Sequence, residues 1–161
     1  MNRNSYGWRT PRIQELGEAL CCRTPDIRDY GSEPLIVNID CFTKQNPYYR
    51  TALWTGKHLQ VTLMSIPVHG DIGLEIHSDV DQFIRIEDGC ALVMMGKNKT
   101  LLNYQQRVNS NYAVIIPAGT WHNIINIGNT PLKLYSIYAP PQHPFGTVHE
   151  TKEAAEDAEK Y

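Results

Sequence analysis

Residues 75–89 read EIHSDVDQFIRIEDG, and residues 115–126 read IIPAGTWHNIIN. The first stretch sets Glu75, His77 and Gln82 among apolar neighbours, and the second sets His122 between Trp121 and Ile124. Polar and charged groups cost free energy on burial unless something satisfies them. The partners open to these side chains are one another, water or a metal ion. Side chains alternate along a strand, so Glu75 and His77 share a face, about 6.7 Å apart along the chain. A hairpin turn centred on Asp79 and Val80 sets His77 opposite Gln82, and directly opposed residues share a face at roughly 5 Å between Cβ atoms. Glu75, His77 and Gln82 then converge on a wall continued by Ile84 and Ile86, with Phe83, Arg85 and Glu87 on the opposite face. The residues alone leave other partnerships open: Glu75 with Arg85 or a lysine, Gln82 with backbone groups, and His122 as a satisfied core histidine.

The elements that must hold these side chains are short. PLIVNID (34–40), TALWTG (51–56), HLQVTLMSI (58–66), LEIH, QFIRIE, CALVMMG, YAVIIP, HNIINIG and LKLYSIYAP each read as a strand, separated by turn signals such as SDVD, GKNK, VNSN and GNTP. Many short strands at fairly even spacing predict an all-β sandwich or barrel. In HLQVTLMSI, Leu59, Val61 and Leu63 alternate with Gln60, Thr62 and Met64, which predicts that one face of that strand is core. PRIQELGEALCC (11–22) reads as a short helix, and residues 147–161, rich in Ala, Glu and Lys, as an exposed helix or tail. The expected organisation is an N-terminal extension (1–33), a single β-barrel (34–146) and a C-terminal helix or tail (147–161). PPQHPFGTVH (140–149) reads as a rigid surface linker, with His143 and His149 as less favoured site groups. His58 and His69 sit near turns and are expected in solvent.

Composition excludes several partner classes. The chain has 161 residues, enough for one domain with a real core, and a formal net charge of −2. No block of Lys and Arg asks for nucleic acid or an acidic membrane. There is neither a secretory h-region nor a membrane-length apolar run, so a cytoplasmic location is expected. Cys21, Cys22, Cys41 and Cys90 suit neither a zinc ribbon nor a disulfide framework and read as reduced thiols.

The residues also resemble a known family, the cupins, over roughly 59–140. The second cupin motif, G-x5-P-x-G-x2-H-x3-N, is matched by Pro117, Gly119, His122 and Asn126, with Asn111 in place of the leading Gly. In the first motif, G-x5-H-x-H-x3–4-E-x6-G, His77 and Gly89 match. Glu75 replaces the first His, Gln82 replaces the Glu, and Gly70 stands one residue too close. The resemblance implies a double-stranded β-helix (jelly-roll) barrel, often dimeric, with a metal near one mouth. Position by position it implies Glu75, His77, Gln82 and His122 as ligands to one divalent ion per chain. Both substitutions keep an oxygen donor. Two imidazoles, a carboxylate and an amide oxygen suit Mn, Fe, Ni or Zn alike.

The function expected is a metal-dependent reaction on a small polar molecule, preferably a sugar-type isomerisation or epimerisation. The small cupins described as mannose-6-phosphate isomerase-like are similar. The competing readings are an Fe(II) dioxygenase and a non-catalytic ligand-binding cupin. The motif supplies no clear catalytic base. A homodimer is expected, with residues 34–40 and 51–66 as the apolar surface available to a second subunit.

Overall fold

The computed structural model describes residues 24–158. The helix expected over 11–22, with Cys21 and Cys22, lies outside the described residues. The strands are β1 (Arg50–Thr55), β2 (Gln60–Ile66), β3 (Asp81–Asp88), β4 (Cys90–Gly96), β5 (Tyr104–Asn109), β6 (Ala113–Ile116), β7 (Trp121–Asn126), β8 (Leu132–Ala139) and β9 (Val148–His149). They form two antiparallel sheets, one of six strands in the order β6-β3-β8-β2-β1-β9 and one of three in the order β5-β4-β7. This is the expected all-β jelly roll. Two short helices flank it, α1 (Ile39–Gln45) and α2 (Lys152–Ala158). No helix among the described residues is long and apolar enough to cross a membrane.

Three local expectations differ from the structure. PLIVNID is not a strand: Asn38 caps α1, its Oδ1 accepting from Cys41 N at 3.1 Å. Asp40 in the first turn and Lys44 in the last suit the helix dipole. LEIH makes only one bridge, between Glu75 and His122. The polar strand YQQRVN was not expected, yet it forms β5 at a sheet edge, paired only to β4 and buried only at Val108.

The inward faces of the large sheet carry the site. β8 lies between β2 and β3, so residues aligned across all three strands form rows. These run Gln60–Tyr138–Gln82, then Thr62–Ser136–Ile84, then Met64–Leu134–Ile86. All nine side chains are buried. The barrel interior therefore grades from polar at one end to apolar at the other, where Ile66, Ile86, Leu132, Leu134, Val93 and Ile124 pack together. The inner face of β2 is the Gln60, Thr62 and Met64 side. On the other face, Leu63 is buried, Val61 half-buried and Leu59 exposed. Leu59 and Val61 line a groove with Glu33, Pro34, Leu35, Val37 and Ile39 rather than the barrel interior.

Candidate metal centre

A tight turn before β7 places His122. Ala118 N donates to Asp81 Oδ1 at 2.9 Å, Gly119 N donates to His77 O at 2.8 Å, and Thr120 N donates to Pro117 O at 3.2 Å. Gly119 has φ 74°, which a Cβ would disfavour. Asn111, which takes the place of the second motif's leading Gly, has φ 73°. Asn is among the residues that tolerate this region, so the substitution keeps the turn. Asn126 is a structural member of the motif. Its Nδ2 donates to the carbonyls of Ile66, Pro67 and Thr130, and its Oδ1 accepts from Gly128 N.

Glu75 and His122 exchange both backbone hydrogen bonds, at 3.1 and 3.0 Å. They are directly opposed and share a face. The expected hairpin, with His77 opposite Gln82, does not form. β6 and β8 occupy both edges of β3, so Gln82 pairs with Ile116 and Tyr138 and no edge is left for residues 74–77. The convergence survives by another route, across β7.

Glu75 Oε1 lies 3.3 Å from His77 Nε2 and 3.2 Å from His122 Nε2. One donor atom from each of the three residues lies within 4.8 Å of the others, an arrangement that could hold a metal ion. His122 is fully buried. Its Nδ1 lies 2.9 Å from Thr120 O. A carbonyl only accepts, so Nδ1 carries the proton. In the neutral ring, Nε2 then points a lone pair at a carboxylate oxygen. That contact is favourable only with a proton between the two atoms or a metal ion bound by both. Fixing one ring nitrogen on a carbonyl so that the other faces the ion is how ligating histidines are held. Burial alone pushes the Glu75 carboxyl up. Hydrogen bonds from His122 and His77, and then their charges, outweigh burial and hold it down to about 2.

Gln82 is 3% exposed. Its Nε2 donates to Ser136 Oγ at 2.8 Å, while its buried Oε1 has no partner. It does not spend that oxygen on the backbone. A buried carbonyl oxygen without a donor fits a cation ligand. Arg85 is not a partner of Glu75; it donates to Asn111 Oδ1 at 2.8 Å and pairs with Glu87 at 3.2 Å. His58 and His69 are exposed, as expected.

The sequence reading missed Gln60, Tyr138 and the placement of His143. Residues 140–149, expected as a rigid surface linker, are tied into the barrel instead. Gln142 N and His143 N both donate to Gln60 Oε1, at 3.2 and 2.9 Å, and Gln60 Nε2 donates to His143 O at 2.8 Å. The His143 ring meets the Tyr138 ring edge-on at 5.2 Å, and Tyr138 meets His77 at 5.8 Å. The available signal was Gln60 and Thr62 alternating with apolar residues in a strand, where the polar positions turn inward.

The profile of the Cupin domain family matches residues 62–138. Two uncharacterised proteins are similar over most of the chain. YrkC of Bacillus subtilis is 65% identical over 133 residues, covering 83% of this chain and 72% of YrkC. L612 of Acanthamoeba polyphaga mimivirus is 47% identical over 114 residues, covering 70% and 69%. The crystal structure of BH2720 from Bacillus halodurans superposes with a TM-score of 0.81 at 61% identity, covering 81% of this chain and 99% of that one.

Proposed function

The chain belongs to the cupin superfamily, and we propose that it is a metal-dependent enzyme of the sugar isomerase or epimerase type, acting on a small hydroxylated carbonyl compound. Glu75, His77, Gln82 and His122 would hold one divalent ion, Mn, Fe, Ni or Zn. When bound, the ion supplies Lewis acidity for a carbonyl and its neighbouring hydroxyl. The observation that carries the reading is a carboxylate oxygen 3.2 and 3.3 Å from two imidazole nitrogens, and the buried Gln82 amide oxygen with no partner adds to it. The protein's own contribution is binding and orientation. Thr120 O fixes His122, Ser136 fixes the Gln82 amide, and Tyr138 packs edge-on against His77. The row Gln60–Tyr138–Gln82, with Thr62 and Ser136 behind it, gives that end of the barrel a polar lining suited to hydroxyl groups.

A second reading has its own support. Two histidines and one carboxylate form the donor content of non-haem Fe(II) oxygenases. One experiment separates the readings. Metal-free protein is loaded with Mn or Zn and incubated in D2O with a panel of aldoses, ketoses and sugar acids. Isomerisation is read by proton NMR as loss of the C–H signal next to the carbonyl. Oxygen uptake after Fe(II) loading supports the dioxygenase instead, and neither response leaves a binding module. His122→Ala should lose most of the metal in elemental analysis, and full occupancy in that variant sinks the ligand assignment.

A further inference from the structure

Two buried polar atoms without a hydrogen-bond partner belong to residues on either side of one ring, that of Tyr138. Gln82 Oε1 lies in the first row of the barrel interior, where Gln82 is aligned with Tyr138, and His143 Nε2 belongs to the imidazole set against Tyr138. Buried polar atoms are nearly always satisfied, so a pair of orphans in one region marks the place of a polar ligand or of water. The His143 ring is also held deliberately. Gln60, fully buried on the inner face of β2, binds the backbone of Gln142 and His143 through both ends of its amide, and its Nε2 donates to Thr55 Oγ1 as well. That clamp turns the imidazole inward, onto the ring that packs against His77.

The chemistry of the group narrows its ligand. Burial first, then the Arg50 charge, pushes His143 down to about 3, so the ring is neutral. A neutral imidazole has no charge to offer a carboxylate or phosphate. A hydroxyl both donates and accepts, so it can satisfy Nε2 in either tautomer.

We infer that His143 is a substrate-recognition residue whose Nε2 exchanges a hydrogen bond with a hydroxyl of a polyhydroxylated ligand seated by its head group at Glu75, His77 and His122. Gln60 is its positioning residue. The inference rests on the metal reading proposed above, and its test separates the two.

The test uses the full chain loaded with Mn(II) and two probes with the same α-hydroxy-carboxylate head. Glycolate is the head alone, and D-gluconate adds hydroxyls along a tail. Affinities are measured by calorimetry for wild type and for His143→Phe, which keeps a ring against Tyr138 but no nitrogen. Wild type should bind gluconate at least about tenfold more tightly than glycolate, the effect of one well-placed hydrogen bond to a buried group. His143→Phe should bring that ratio close to one while leaving the Mn(II) and glycolate affinities unchanged. If the Phe variant does not fold, His143→Ala is read the same way. An unchanged ratio in the variant overturns the inference, as does equal loss of both acids or a wild type that does not distinguish them. Failure of the metal reading appears earlier, as wild-type protein that binds no Mn(II) before either acid is added, and it removes the inference with it.

Discussion

Replacing Gln82 with Glu tests the metal centre from both sides. The position is 3% exposed, and its amide nitrogen already donates to Ser136 Oγ at 2.8 Å. Both imidazoles face Glu75, so a second carboxylate enters the metal-free protein without a cation of its own. An uncompensated buried charge costs on the order of 3 kcal/mol. For a chain of this size that lowers the melting temperature by roughly 10 °C. With a divalent ion the sign reverses. A dication held by one carboxylate has a formal charge of about +1, and a second carboxylate brings it to about 0. Mn(II) should then bind at least about tenfold more tightly, and the rise in melting temperature on adding metal should exceed that of wild type. The assay is Mn(II) titration of metal-free wild type and Gln82→Glu at pH 8, with melting curves before and after loading. If affinity instead falls 10–100-fold, Gln82 only orients a neighbour and is not a ligand. An unchanged midpoint in the metal-free variant would show that the side chain does not occupy the dry position described.

Glu75 makes the metal-free protein acid-sensitive. Its folded-state pKa is depressed from 4.5 to about 2, so its contribution is complete above 4.5 and is lost as pH falls from there to about 2. Discounted for a side chain 21% exposed, this amounts to about 2 kcal/mol. Urea midpoints of chelator-treated protein should fall across that window, and those of Glu75→Gln should fall less; parallel curves would refute the assignment. Gln60→Leu removes three hydrogen bonds to residues 142 and 143 and should cost about 2 kcal/mol, with faster amide exchange at those two residues. Protection unchanged from wild type would show that Gln60 does not hold the segment. A homodimer is expected, because Ile36 is fully exposed and Leu59 37% exposed beside a groove lined by Pro34, Leu35, Val37, Leu53 and Val61. Light scattering should give the mass of two chains, reduced to one by Ile36→Lys with Leu59→Lys; wild-type monomer at micromolar concentration would overturn this.

What could be read from the sequence was whatever depends on residue type and short spacing. Period-two alternation and turn residues mark most strands, because a strand's two faces are chemically different. The P-x-G-x2-H-x3-N spacing locates the turn before β7, because the turn's backbone geometry is local. Glu75, His77 and His122 could be singled out because ionisable groups among apolar neighbours need partners. Tertiary structure decided everything that depends on which strands are neighbours. Residues 74–77 were expected to pair with β3, but β3 has both edges occupied, so Glu75 pairs with His122 on β7 instead. The two faces of β2 cannot be ranked from the strand alone, since each alternates cleanly. Only the barrel shows that Gln60 and Thr62 point inward, because the interior is polar at that end. α1 appears where β-branched residues predict a strand, because Asn38 caps a helix there. His143 looked like part of a proline-rich surface segment. It lies against Tyr138 because Gln60, 83 residues earlier, binds its backbone, and no local pattern encodes a contact of that range.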